Sequence, residues 1–116
     1  MIPATSDPTA EILVVMINLA DPETAQRLAT AIVEQRLAAC ANVMAPCRSV
    51  YRWRGEVETA DETPVFFKTT RAGYPSLESA IRALHPYELP EIVALPVAAG
   101  LPAYLAWVAD ETEVLP

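Results

Sequence analysis

His85 is the single histidine of the chain and stands in LHPYELPEIVALP (84–96), with Glu88 three residues on. An imidazole beside a carboxylate is the minimum needed to move a proton, and both groups are also metal ligands. Two ligands leave a tetrahedral or octahedral shell incomplete, so a metal here needs a third donor from Cys40, Asp61, Glu62 or a second copy of the chain. Pro86 disfavours a helical backbone at His85, which hangs the ring at a helix end, where it fastens that end to the next strand or to a neighbour. Three uses are therefore open to His85: helix-end fastener, part of a pocket shared between subunits, or metal ligand.

Cys40 lies in LAACA (37–41), where a free thiol usually behaves as a small hydrophobe, although a thiolate also suits monovalent copper. Cys47 is seven residues on, beside Arg48. On one uninterrupted strand that odd separation puts the two thiols on opposite faces; a bulge at Ala45-Pro46 cancels the argument. Lys68 follows Val65-Phe66-Phe67, an apolar run in which an unpaired cation is costly, so a carboxylate such as Glu88 or Glu91, or a subunit boundary, is expected to meet it. Tyr51, Trp53, Tyr87 and Trp107 read as packing residues before they read as a ligand cage. Arg48, Arg52 and Arg54 look basic as a group, but Glu56 and Glu58 opposite them predict an ion-paired ribbon. No nucleophile elbow, phosphate loop, HExxH or paired CxxC is present, and no enzyme is expected.

The elements that hold these residues follow from periodicity. ILVVMI, between Glu11 and Asn18, is a continuous β-branched run that predicts a central strand covered on both faces or nearly so. Asp21-Pro22-Glu23 starts a helix with an N-cap, a proline at the first position and an acid facing the dipole, and Ala25, Leu28, Ala29, Ile32 and Val33 form its buried stripe. Pro75 opens a second helix, with Leu77, Ala80, Ile81 and Leu84 on one face, which Pro86 ends. Ile92 to Val97 predicts a fourth strand, which lies at an edge or ends at Pro96, since Pro96 cannot donate to a ladder. Pro102 starts a short last helix with Leu105 and Val108 inward.

Between the helices, CANVMAPCRSVYRWRGEVETADETPVFFKTT (40–70) reads as two long strands joined at Gly55. A three-residue loop, Trp53-Arg54-Gly55, sets Arg52 against Glu56, Tyr51 against Val57 and Val50 against Glu58, and is the register expected. An even-numbered loop sets Tyr51 against Glu58 or another acid and Arg52 against Val57. The order is β-α-β-β-α-β plus a C-terminal helix: an α+β, ferredoxin-like arrangement with a four-stranded antiparallel sheet and a long hairpin of its second and third strands. At about a dozen residues an arm, the hairpin outruns the other strands, and its projecting part carries Val50, Tyr51, Trp53 and Val57. An exposed apolar edge of this kind predicts self-association in a closed assembly, unless the hairpin bends back at Ala60-Asp61.

One domain is expected over 11–116 of the 116 residues, behind a flexible tail at 1–10. A formal charge of −7 argues against nucleic acid or an anionic bilayer as partner. The uncharged stretch from Ile92 to Ala109 is divided by Pro96, Gly100 and Pro102 into pieces too short for a membrane span. The N-terminus has neither a basic start nor an apolar run, and two cysteines make no disulfide framework, so a cytoplasmic address is expected.

EQRLAACANV (34–43), YRWRGEVE (51–58), VFFKT (65–69), LHPYELPEIVALP (84–96) and G-x-P-x-YL-x-W (100–107) together resemble, in order, the divalent-cation tolerance family called CutA. The resemblance implies a tight homotrimer of ferredoxin-like subunits whose long hairpins pair with neighbours, in an architecture like that of PII signalling trimers. It implies a part in tolerance of copper and other divalent ions, no required cofactor, and a ligand pocket between subunits, for which Lys68, His85, Tyr87, Glu88, Tyr51 and Trp53 are the candidates. Cys40 and His85 are the candidate ligands for copper or another divalent ion. Cys47 falls where relatives commonly carry no thiol, so the resemblance assigns it nothing. A scaffold that binds no ligand, and a hydrolase or isomerase using His85 with Glu88, are the competing readings.

Overall fold

The computed structural model describes residues 10–113. The tail expected at 1–10 lies, apart from Ala10, outside the described residues. The elements run β1 (Ile12–Leu19), α1 (Pro22–Glu34), β2 (Cys40–Val43), β3 (Cys47–Trp53), β4 (Glu56–Thr70), α2 (Tyr74–Leu84), β5 (Ile92–Pro96) and α3 (Pro102–Glu111). All strand pairs are antiparallel, in the order β2-β4-β1-β5, with β3 pairing β4 beyond the end of β2. The fold is thus α+β as expected, but with five strands where four were expected.

The extra strand comes from a break at Met44-Ala45-Pro46. Val43 stands opposite Val65 and Cys47 opposite Glu62, so four steps on one strand face three on the other, the count of a bulge. The break cancels the odd separation of the cysteines: Cys40 faces Lys68 and Cys47 faces Glu62, both on the same side of β4. Pro96 closes β5 on the sheet edge, where its missing N–H costs no ladder bond.

Helix α1 begins as its sequence requires, with the Asp21 carboxylate accepting from the Thr24 backbone N–H at 2.8 Å and Pro22 in the first turn. It ends in a Schellman arrangement, with Arg36 at φ +61°, Arg36 N–H donating to Val33 O and Leu37 N–H to Ile32 O. The Arg36 guanidinium then reaches the Asp110 carbonyl at 2.9 Å and ties α3 to this turn.

α1 and α2 cover one face of the sheet. Leu13, Val15, Ile17 and Leu19 of β1 and Val65 and Phe67 of β4 meet Ala25, Leu28, Ala29 and Ile32 of α1 and Leu77 and Ile81 of α2 there, all buried. Leu84, expected on this face, is half exposed at the last turn of α2. A smaller cluster of Ile12, Ala39 and Val108 lies under α3, with Leu105 against it. On the other face α3 lies at one end, over Ile12 and beside Cys40, and among the described residues the rest is open: Val14, Met16 and Phe66 are half-buried, while Val93 and Leu95 are 43% and 49% exposed. β1 is central, yet within one chain its second face is covered at Ile12 and only half-buried from Val14 to Met16.

β4 continues unbroken through Ala60-Asp61, so the hairpin does not fold back, and the molecule measures 52 × 26 × 23 Å. The turn is a two-residue one, with Arg54 at φ +50° and Gly55 at φ +83°, both in the left-handed region that a primed hairpin turn requires. The observed pairs are Trp53 with Glu56, Arg52 with Val57 and Tyr51 with Glu58. The three-residue loop expected from pairing quality is therefore corrected to the even alternative. Strand twist favours the primed turn, and a single arginine in the left-handed region, at about 1–2 kcal/mol, is tolerated where its side chain finds partners.

Candidate functional site

The two-residue turn decides which side chains share a face. Side chains alternate along a strand, so this register puts Ser49, Tyr51 and Trp53 of β3 on the same side as Glu56, Glu58 and Glu62 of β4. Arg48, Arg52, Val50 and Val57 turn to the other side. A slip of one residue would have mixed the two sets.

The aromatic and acidic side of the hairpin faces the loop between α2 and β5, and the two enclose a cleft of about 870 Å³. Tyr51, Trp53, Glu58 and Glu62 line it from the hairpin, Tyr87, Glu88, Leu89, Pro90 and Glu91 from the loop, and Asn18 from the end of β1. Four of the six residues expected in a ligand pocket, Tyr51, Trp53, Tyr87 and Glu88, are thus together. Lys68 and His85 lie outside this lining. Glu58, Glu62, Glu91 and Asn18 were missed; the even register, which sets Tyr51 against Glu58, was the signal for the first two.

Hydrogen bonds fix the lining. The Tyr87 hydroxyl donates to Glu62 Oε2 at 3.1 Å, and burial, then this carboxylate, pushes the Tyr87 pKa up to about 12. Tyr51 is raised as well, by partial desolvation first and by the charges of Glu58 and Glu62 next. Arg54 Nη2 donates to Glu88 Oε2 at 2.7 Å while its guanidinium lies 5.2 Å from the Trp53 ring centre, closing the hairpin tip onto the loop. Asn18 Nδ2 donates to Glu91 Oε1 at 3.2 Å.

These bonds correct several expected pairings. Arg48 pairs with Asp61 and Arg54 with Glu88, not with Glu56 and Glu58, and Arg52 donates to the Gly55 carbonyl. Glu88 and Glu91 being so engaged, Lys68 donates instead to Asn42 Oδ1 on β2. Both groups project from the uncovered face of the sheet, where a neutral amide oxygen stands nearer than any acid of the loop.

His85 caps α2, buried to 7% exposure, with its backbone extended as the following proline demands. Its Nε2 donates to the Asn18 carbonyl at 2.6 Å, and its Nδ1 accepts from the Tyr87 backbone N–H at 3.2 Å. A carbonyl can only accept and an N–H can only donate, so the proton sits on Nε2 and the lone pair on Nδ1 is taken. Neither nitrogen is left for a metal or for a substrate proton. Glu88, expected beside the ring, is turned to Arg54 instead.

Cys40, the other expected metal ligand, is half-buried with its Sγ 3.4 Å from the Tyr104 hydroxyl. That contact, then burial, raises the Tyr104 pKa to about 12. Cys40 stands level with Lys68 and the His85 anchor, Asn18, level with Pro64, four residues or about 13 Å along β4. Within one chain the two do not form a common metal site, and among the described residues no group of three or more His, Cys, Asp or Glu is arranged to hold a metal. Cys47 is exposed.

The family described as CutA1 divalent ion tolerance protein matches residues 13–111, which takes in the hairpin, the cleft and all three helices. The chain belongs to the CutA1 family. The divalent-cation tolerance protein CutA of Thermus thermophilus is 46% identical over 99 residues, covering 85% of this chain and 96% of that protein. Protein CutA of Mus musculus is 40% identical over 97 residues, which are 84% of this chain but 55% of the mouse protein. A solved Thermus thermophilus CutA1 structure superposes with a TM-score of 0.86 at 45% identity, over 88% of this chain and 99% of that one. A structure described as the PII-like protein CutA of Nostoc, in apo form, superposes at 0.83 with 37% identity, over 89% and 99%. This CutA1-family fold is therefore PII-like, and none of its described helices is long and apolar enough to cross a membrane.

Proposed function

We propose that this CutA1-family chain works as a homotrimer in the response to divalent metal ions, copper among them, by binding an ion or small ligand in clefts that neighbouring subunits complete. The carrying observation is the pairing of an uncovered sheet face with a hairpin that projects past it. Val93 and Leu95 on that face and Val50 and Val57 on the hairpin are 43%, 49%, 65% and 63% exposed, more apolar surface than a lone chain keeps in water at no cost. The cleft lies between this projecting hairpin and the loop after α2, so a neighbour that pairs with the hairpin also borders the cleft, which links assembly to binding. Three subunits, rather than another closed number, follow from the family resemblance and the PII-like architecture.

The work is binding rather than catalysis, because the histidine that a hydrolase or isomerase needs has both ring nitrogens engaged. Copper binding is weak to moderate and runs through a thiol, Cys40 or Cys47, rather than a preformed cage. Two free thiols fit a reducing, cytoplasmic setting.

Sedimentation equilibrium at about micromolar concentration tests the assembly: a species of three chains is expected, and a stable single chain would overturn the reading. Calorimetric copper titration of Cys40→Ser and Cys47→Ser tests the ion. Loss of affinity in one of them is expected, and unchanged affinity in both removes the thiols from the account.

A further inference from the structure

The cleft brings four carboxylates together, those of Glu58, Glu62, Glu88 and Glu91, and no lysine or arginine lines it. The chain answers two of them itself. Arg54 takes Glu88, and does so with its guanidinium beside the Trp53 ring, so this lining already holds one cation between a carboxylate and an aromatic ring. Asn18 donates to Glu91.

Glu58 and Glu62 are left without a cationic or amide donor, and Glu62 is the buried one of the two. It is 9% exposed, its Oε2 is met only by the neutral Tyr87 hydroxyl, and its Oε1 has no protein donor among the described residues. A carboxylate this desolvated gains from a charge-assisted partner, and its Oε1, which still opens to the cleft, can take one from a ligand N⁺–H. Around it the lining is aromatic and apolar, with Tyr51, Trp53, Leu89 and Pro90, which suits a carbon body and, through the ring faces, the cation it carries.

We infer that the cleft takes a protonated organic amine with an apolar or aromatic body, the ammonium donating to Glu62 Oε1 beside Glu58 and the body lying on Tyr51 and Trp53. The assignment rests on the reading of this cleft as the ligand site and adds the ligand's charge and shape. An anionic or phosphate-bearing ligand would meet carboxylates whose nearest guanidinium is already paired. A bare divalent ion finds no group of three or more ligands among the described residues, and it leaves the aromatic wall unused.

The test is calorimetric titration of the assembled full-length protein, near neutral pH, with three probes of one shape: phenethylamine, 2-phenylethanol and 3-phenylpropionate. The amine is expected to bind about tenfold or more tighter than the alcohol and the carboxylate least, a preference that weakens as salt is raised. Glu62→Gln is expected to weaken the amine by about tenfold and leave the alcohol unchanged. Arg54→Asn keeps a residue suited to the left-handed turn, removes the competing cation and releases Glu88, so it is expected to tighten the amine several-fold. Should Glu62→Gln fail to assemble, Glu58→Gln carries the same test, with a loss of about threefold expected. If the alcohol or the carboxylate binds as well as the amine, yet is lost on Trp53→Ala, the amine class is overturned and the ligand cleft stands. If none of the three binds at about millimolar concentration, the amine class and the ligand cleft both fall.

Discussion

Residues 63–70 and 56–61 belong to one continuous strand, β4, and differ in almost everything that decides register and stability. In the first stretch Thr63, Val65, Phe67 and Thr69 are at most 1% exposed beneath the helices; in the second every residue is exposed except Ala60, which is half-buried. Packing sets the register of the first, because a slip of one residue would carry Phe67 from the core to the uncovered face. Two backbone angles, at Arg54 and Gly55, set the register of the second. The packed half builds the core, while the exposed half sets Glu58 opposite Tyr51 on the cleft side and is uncovered within one chain.

The widest gap between the halves should appear on truncation. Phe67→Ala is expected to cost about 3–5 kcal/mol in urea denaturation, whereas Val57→Ala should cost about 0.5 kcal/mol or less per dissociated chain and act mainly on association. Equal costs in the dissociated chain would erase the distinction. His85→Ala, at the junction between the halves, leaves the Asn18 carbonyl and the Tyr87 N–H without their partner and is expected to cost about 1–3 kcal/mol. Because the ring has no free nitrogen, copper affinity of the refolded variant should match the parent; a clear loss would return His85 to the metal site.

Alkaline titration sharpens the comparison from the cleft side. Tyr87, with its pKa raised to about 12 from an ordinary 10, favours the folded state fully below pH 10 and loses that contribution as pH rises from there through 12. Tyrosinate absorbance should show a late phase shared by Tyr74, Tyr87 and Tyr104, each raised to about 12, and Glu62→Gln should move one of the three back toward 10. An unmoved titration would detach Tyr87 from Glu62. The smallest effect is expected within the packed half, where the Thr63 hydroxyl oxygen is buried without a hydrogen-bond partner. Thr63→Val should be neutral or stabilise by up to about 1 kcal/mol, seen as a small rise in Tm.

Helices α1 and α2 were legible because a stripe at 3.6-residue spacing, an Asp-Pro start and a proline stop are local signals, and local signals survive in a single sequence. The uneven lengths of the strands likewise announced the overhang. The cleft was half legible: Tyr51, Trp53, Tyr87 and Glu88 stood out by type, whereas Glu58 and Glu62 looked like ordinary ribbon acids until the turn put them on the aromatic side. Pairing quality misled here, since opposing Arg52 to Glu56 offers only a few tenths of a kcal/mol at a solvated edge, less than the match between a primed turn and strand twist.

From its sequence alone this protein was bound to be an acidic α+β chain of antiparallel strands and amphipathic helices with a projecting hairpin and a histidine at a helix end, since periodicity, proline positions and charge act within a few residues. Only the tertiary structure decided what that histidine touches, because its partner is the carbonyl of Asn18, 67 positions away along the chain. It alone decided that Glu62 would be buried facing a cleft with one neutral donor. A register difference of one residue is nearly silent in composition, and in space it moves every side chain of one hairpin strand to the opposite face from its former neighbours.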